Sequence, residues 1–359
     1  MRWHPLTIAD VRVETERAIS VAFDVASDMR PDFAYHAGQF LTLRAAIDGE
    51  EVRRSYSLCS PPISGEWRIA VKRVPHGRFS NWFVEHAHVG MTLEVAIPDG
   101  RFVYRPASDP ERLLLVAAGS GITPVMAIAA TALECNPAAQ VTLLYGNATV
   151  PDIMFREALE DLRDRFLSRF QLIHCLSREM PDAPIARGRI DARKLDLLFS
   201  TLVQAATVTH VYACGPGDLA DVVLQTAVAA GVPPERVQRE LFLAPGQRPA
   251  VARSPSQPLA EAAASDGARV RLTADGKTRE FCLPANGPSL LDAALAAGFD
   301  VPFSCKSGVC CTCRARLRSG AVRMDANWTL TADEIAAGYV LTCQAHPVSA
   351  TLEVSFDER

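Results

Sequence analysis

In the first third of the chain, apolar residues fall on every second position: Ile19, Val21, Phe23 and Val25, then Leu41, Leu43, Ala45 and Ile47, then Leu93, Val95 and Ile97. A period of two lines one face of a strand, and turn signals such as Asp99-Gly100 break the runs. The pattern predicts an antiparallel barrel or sandwich over 1–107. From residue 108 the texture changes. Apolar runs (Leu113 to Val116, VTLLYG, FQLIHCL, HVYACG) alternate with stretches at helical spacing, such as Phe155, Leu159, Leu162 and Phe166. Strands alternating with helices predict a parallel sheet over 108–247, with ligands at the strands' carboxyl ends. Residues 248–268, rich in Ala, Ser and Pro without strong periodicity, read as a tether. In 269–359, two short strands flank Asp275-Gly276, a hairpin signal. Ser289 with Asp292 three residues on then resembles a capping box before the helix LLDAALAAG.

Bulk properties narrow the field without choosing a function. A chain of 359 residues fits two or three domains, each able to bury its own core. A net charge of −4 with 22% charged residues gives no pull toward nucleic acid or an anionic membrane. MRWHPLTIADVRVE has no apolar signal core, and no apolar run reaches bilayer length. A cytoplasmic protein with reduced thiols is the expectation.

Cysteine spacing adds the first chemistry. Cys305, Cys310 and Cys313 form a C-x4-C-x2-C array in SCKSGVCCTC, and Cys343 follows after 29 intervening residues. That is the plant-type spacing for four thiolates around a 2Fe-2S cluster. Four thiolates also suit structural zinc, but zinc sites usually show two short-range cysteine pairs, whereas here three ligands crowd one loop. A zinc-stabilised interaction module is the alternative from another class. Cys311 falls outside the spacing and is expected to stay unligated.

Two segments of the first domain carry a flavin signal. Arg54-Ser55-Tyr56-Ser57 resembles the R-x-Y-S signature of the ferredoxin-NADP reductase superfamily. The resemblance implies that Arg54 pairs with flavin phosphate, Tyr56 stacks on the isoalloxazine and Ser57 bonds near its reactive nitrogen. The chemistry is sensible: a planar cationic fork, an aromatic face and a hydroxyl. VKRVPHGRFSNW resembles the family's second flavin segment. There Val71 lies beside the ring, while Gly77, Arg78, Phe79 and Ser80 offer backbone N–H groups and a hydroxyl to the pyrophosphate at a helix start. FAD is expected over FMN, which phthalate-type relatives bind.

The second domain continues the resemblance. Gly119-Ser120-Gly121-Ile122-Thr123-Pro124 is similar to the family's GxGxTP segment, which implies diphosphate contact at Gly119 and Gly121 and nicotinamide contact at Thr123. Cys214-Gly215-Pro216 resembles the Cys-Gly-Pro that ends a strand beside the hydride-bearing carbon. Ser177-Arg178 resembles the 2′-phosphate clamp of NADP-using relatives, so NADPH is expected over NADH. Phe242, in VQRELFLAPG, is either a terminal aromatic covering the flavin or an ordinary core residue. Tyr56, Ser57, Thr123 and Cys214 are the residues expected nearest the chemistry.

The order of flavin barrel, nicotinamide domain, tether and ferredoxin resembles the single-chain reductases of multicomponent oxygenases. GEEVRRSYSLC, AAGSGITPVMAI and MDANWTLTADEIAAGYVLTCQAHPVS are most similar to the reductases of phenylacetyl-CoA epoxidases. That resemblance implies FAD, NADPH, a 2Fe-2S cluster and a di-iron oxygenase partner, with electrons passing from nicotinamide through flavin and cluster to the partner. A reductase for a Rieske dioxygenase or a steroid hydroxylase, and a self-contained NAD(P)H oxidase, stay open. Residues 269–359 balance ten Arg and Lys against ten Asp and Glu. Arg314, Arg316, Arg318 and Arg323 follow the cysteine loop and read either as an ordinary solvated strand face or as a basic face that docks an acidic surface of the electron acceptor.

Overall fold

The computed structural model describes residues 1–242 and 267–358 and divides into two compact units, split at residues 250 and 251. Most of the expected tether lies outside the described residues. In the first unit β1 (Trp3–Thr15), β2 (Ala18–Asp24), β3 (Phe40–Ile47), β4 (Glu50–Ser57), β5 (Trp67–Lys72) and β6 (Thr92–Ala96) form an antiparallel sheet in the order β4-β3-β6-β1-β2-β5. A bridge from Leu58 to Ile69 joins the outer strands and closes the barrel. Its interior is the alternating set read from the sequence, with Val21, Leu41, Leu43 and Val95 fully buried, together with Phe79 and Phe83 of α1 (Arg78–His86). Ile97 departs from that reading. The strand ends at Ala96, because Pro98 brings no N–H to the ladder, and Ile97 is exposed.

The same unit contains a parallel sheet of β7 (Arg112–Ala118), β8 (Gln140–Asn147), β9 (Phe170–Leu176), β10 (His210–Gly215) and β11 (Val237–Leu241). The helices are α2 (Ile122–Cys135), α3 (Arg156–Arg165), α4 (Ala192–Thr201) and α5 (Leu219–Ala229). The strand order β11-β10-β7-β8-β9 means the chain runs outward from β7 through β8 to β9, then returns to the other side of β7 as β10. The β7/β10 boundary is therefore the topological switch point, where crossovers leave a crevice at the strands' carboxyl ends. Phe155, expected inside a helix, is instead the N-cap of α3, in left-handed backbone at φ 56°. Its N–H donates to Glu14 of the barrel at 3.1 Å, one of the bonds that join the barrel to the parallel sheet.

The second unit holds β12 (Ala268–Ala274), β13 (Lys277–Leu283), α6 (Leu290–Ala296), β14 (Arg314–Ser319), β15 (Val322–Met324), α7 (Ala332–Ala336), β16 (Tyr339–Leu341), β17 (Ala345–Pro347) and β18 (Thr351–Ser355). The main sheet is mixed, β13-β12-β18-β14-β16, with β12 and β18 parallel and the other pairs antiparallel. The expected capping box is half made. Ser289 accepts from Asp292 N at 3.2 Å, but the Asp292 carboxylate takes the Ser289 hydroxyl and Lys306 Nζ rather than the cap's backbone N–H. No helix among the described residues is long and apolar enough to cross a membrane.

Candidate functional site

Three chain segments meet at the switch point. The 3-10 turn Gly119–Gly121 follows β7 and lies against the end of β10. A Cβ on Gly121 would stand 2.5 Å from the Cys214 carbonyl carbon and 2.8 Å from Gly215 Cα, so only glycine lets these two backbones touch. Gly119 has open space around it but φ 54°, and needs glycine for the backbone turn instead. Thr123 is buried in the first turn of α2 and donates to Ser120 O at 3.0 Å. Tyr145 of β8 braces the turn through its hydroxyl on Gly119 O at 3.1 Å.

The barrel reaches this crevice through β4. Ser57, at its end, is buried and lies 3.4 Å from Glu240 Oε2 of β11. Parallel pairing sets Glu240 directly beside Cys214, which has no solvent exposure. Buried Ser57 and Cys214 and partly buried Glu240 therefore form one cluster across the barrel–sheet junction. Sequence reading named the first two and missed Glu240, whose only signal in VQREL is a lone acid on a strand. Burial pushes the Glu240 carboxyl up from its ordinary 4.5 to about 8, against the smaller opposite effect of the Ser57 bond. Burial likewise pushes the Cys214 thiol well up. That shift favours the protonated Glu240 carboxyl near neutral pH.

That proton has a measurable consequence. The folded state keeps it between about pH 4.5 and about 8, where the unfolded chain releases it. The stabilisation is complete below the lower value and lost as pH rises through the upper one. Glu240→Gln is neutral throughout and is expected to flatten this part of the profile. Thermal melts of both proteins across that window check it, and parallel slopes would contradict the assignment.

Around the barrel end, Tyr56 is partly buried, its ring 5.6 Å from that of Phe79, while Val71 lies fully buried on β5. Helix α1 begins at Gly77 with no side-chain cap, leaving its first N–H groups to an outside acceptor. A Cβ on Gly77 would meet Ser80 Oγ at 2.5 Å, and that hydroxyl already accepts from Val74 N at 3.2 Å. The Arg78 side chain turns to the β3–β4 hairpin, pairing with Glu50 at 2.5 Å and donating to Ile47 O. Arg54 donates to Arg53 O at 2.7 Å, and Ser55 shares a 3.0 Å hydrogen bond with Thr42. An uncapped helix start beside an aromatic face fits a flavin diphosphate and ring.

At the far edge of the crevice, Ser177 and Arg178 are exposed just after β9, their N–H groups on Asn147 O and Ala148 O at 3.0 and 2.9 Å. Pro216 is exposed beyond Gly215. Phe242 is partly buried and packs against the core that includes α2 and Cys214, its N–H 3.5 Å from Gly215 O.

In the second unit, Cys305 and Cys310 are in thiol–thiol contact, and so are Cys313 and Cys343. The second pairing follows from β14 and β16: Arg314 lies opposite Leu341, and Thr342 bonds Cys313 O through both its N–H and its hydroxyl. Cys305 Sγ accepts from Ser307 N and Cys310 N, both at 3.4 Å. Among the described residues no three candidate ligands converge as a single ion would need. Two thiol pairs fit two irons better than one tetrahedral zinc. Cys311 turns away, its Sγ 3.1 Å from Thr329 Oγ1.

The arginines after the cysteine loop have acidic or aromatic neighbours within the unit. Arg314 pairs with Glu334 at 2.7 Å, Arg318 with Glu358 and Glu353, and Arg323 with Asp325. Arg314 and Arg316 both lie over the Tyr339 ring. The charge along this strand is largely matched within the unit.

Comparison with known proteins supplies the wider frame. Residues 10–104 match an oxidoreductase FAD-binding domain, 115–225 an oxidoreductase NAD-binding domain and 272–348 a 2Fe-2S iron-sulfur cluster binding domain. The chain is 43% identical to a component of the 1,2-phenylacetyl-CoA epoxidase of Escherichia coli (strain K12), over 99% of this chain and 98% of that one. It is 35% identical to the ferredoxin reductase component of 3-ketosteroid-9-alpha-monooxygenase from Rhodococcus rhodochrous, covering 98% and 96%. Among solved structures, phthalate dioxygenase reductase aligns over 99% of this chain and 98% of its own, at 26% identity and a TM-score of 0.60.

Proposed function

This chain belongs to the ferredoxin-NADP reductase superfamily, in the branch that carries a C-terminal 2Fe-2S ferredoxin domain, and from that premise we propose that it supplies electrons to a phenylacetyl-CoA epoxidase. It is an NAD(P)H-dependent flavin and iron-sulfur oxidoreductase, the reductase component of a multicomponent oxygenase. Residues 1–107 would hold FAD, 108–247 the nicotinamide nucleotide and 269–359 the cluster, with the oxygenase partner a di-iron enzyme. The reading rests above all on the junction where Ser57 of the flavin barrel meets Glu240 and Cys214 of the nucleotide sheet. A flavin held there would supply two-electron hydride chemistry toward the nicotinamide, and a cluster held by the four cysteines would supply one-electron chemistry toward the partner.

The residues do the placing. Gly119, Gly121 and the start of α2 would receive the nucleotide diphosphate, and Thr123, Cys214 and Gly215 would border the nicotinamide. Arg54, Tyr56, Val71 and the Gly77–Ser80 helix start would seat the flavin, and Ser57 with Glu240 would hold a proton at the junction. Cys305, Cys310, Cys313 and Cys343 would ligate iron. NADPH is favoured because Ser177 and Arg178 are exposed at the β9 edge, while the neighbouring Glu179 carboxylate is occupied by Val150 N at 2.7 Å and does not present itself to a ribose 2′-hydroxyl.

An anaerobic visible titration with NADPH and, separately, NADH tests the scheme. The expected result is bleaching of flavin and cluster together at about three electrons per chain, at lower concentration with NADPH. A protein that bleaches as a flavin but contains no iron would remove the relay. Preferential bleaching by NADH would reverse the nucleotide preference.

A further inference from the structure

The loop between β9 and α4 carries Ser177 and Arg178 at its start and then folds back on itself. Its far end returns to β9, where Arg187 bridges to Leu176 and Gly188 N donates to Leu176 O at 2.8 Å. The Arg187 guanidinium ties the tip, donating to Pro181 O at 2.6 Å and Asp182 O at 3.0 Å. Lys194 of α4 holds the return. It is 7% exposed, and its Nζ donates to Ile185 O at 2.7 Å and Arg187 O at 2.5 Å. The Cys175 thiol of β9 also meets Ile185 O, at 3.4 Å.

By every other measure Lys194 is badly placed. No carboxylate pairs with its ammonium among the described residues. It lies in the first turn of α4, which contains no acidic residue, at the positive end of the helix dipole. Burying a cation against neutral acceptors costs stability as well. What the lysine gains is the shape of the loop.

We infer that Lys194 is a positioning residue that fixes the loop carrying Arg178 and so sets the preference for a nucleotide bearing a 2′-phosphate. This rests on the reading that the nucleotide's adenosine end lies at the β9 edge. Arg178 is exposed, and its side chain makes no hydrogen bond or ion pair among the described residues, so its direction depends on the backbone that carries it. One side of that backbone is anchored by Arg178 N on Ala148 O at 2.9 Å, and the return by Lys194. A loop ordered before binding spares the cost of ordering it on the ligand. A nucleotide without the phosphate draws little from Arg178, so the benefit falls on one nucleotide and not the other.

The test is calorimetric binding of NADP+ and, separately, NAD+ to the oxidised full-length protein and its K194M variant, with kcat and KM for NADPH and NADH measured alongside. A parent protein that binds NADP+ no better than NAD+ defeats the nucleotide assignment itself, and this is recognised before any variant is compared. K194M is expected to bind NADP+ about tenfold more weakly, the worth of one hydrogen bond to a charged group, and NAD+ within about twofold of the parent. KM for NADPH should rise in step while kcat holds. Unchanged NADP+ affinity in a K194M protein with parental flavin and iron contents would overturn the inference. So would equal weakening of both nucleotides, or a fall in kcat alone, which would mean a general loosening of the domain. If K194M does not retain flavin, K194Q replaces it in the same comparison: selective loss of NADP+ affinity supports the positioning role, and unselective or absent loss refutes it.

Discussion

Gly121→Ala is expected to lower the rate of reduction by NADPH about 100-fold while leaving flavin and iron contents intact. The reason is space. The added methyl would fall 2.5 Å from the Cys214 carbonyl carbon, and both backbones belong to the junction that also holds Ser57 and Glu240. Something must shift. Forcing extra volume into a packed site costs about 1–3 kcal/mol, and a displacement of ~1 Å between reacting groups can cost ~100-fold in rate. Gly119→Ala is the internal control. Its methyl would meet nothing within 4 Å, so its cost is only that of left-handed backbone, roughly 1–2 kcal/mol. Stopped-flow reduction of the two variants should therefore separate them widely. Equal rates, or a Gly121→Ala protein as fast as the parent, would show that the turn does not set the nucleotide's position.

This contrast also marks what the sequence could and could not tell. Both glycines are legible in GSGITP, but their different reasons are not, because the Cys214 carbonyl that excludes a side chain at 121 comes from a strand about ninety residues later. Barrel strands were readable because burial on one face leaves a period of two, and the parallel strands because burial on both faces leaves none. Ile97 kept the period while Pro98 ended the strand. Glu240 was invisible for the same reason as Gly121's constraint. Its meaning lies in the register that sets it beside Cys214 and in Ser57 arriving from another domain. The arginines after the cysteine loop left two readings open. A run of positive charge is plain in one dimension, whereas Glu334, Glu353 and Glu358, which answer it, come from α7, β18 and the segment beyond. Local spacing identifies chemistry well where ligands crowd one loop, and poorly where the partner is a strand's neighbour.

Cys343→Ala is expected to abolish the cluster and, with it, one-electron delivery to a protein acceptor, while leaving flavin reduction by NADPH unchanged. In the proposed cluster site Cys343 would be the ligand the loop cannot replace. It is 7% exposed and follows β16, whose pairing with β14 carries it to Cys313. The surrounding bonds fix that placement from several sides: Thr342 to Cys313 O, Leu291 N to Thr342 O at 3.0 Å, and Gln344 Nε2 to Lys306 O at 3.0 Å. Alanine leaves these backbone contacts in place, so the unit should still fold around a three-thiol site. Cys311 is the nearest spare thiol, but it sits at φ 60° with its sulfur directed to Thr329, so taking over as ligand would require the loop to rebuild. The expected protein is yellow, iron-free and able to reduce ferricyanide at the parental rate, but inactive toward cytochrome c or the oxygenase. Cys311→Ala, by contrast, should retain iron and full transfer. Unimpaired cytochrome c reduction by an iron-free Cys343→Ala protein would mean that electrons leave from the flavin directly, and the cysteine array would then have no place in the relay.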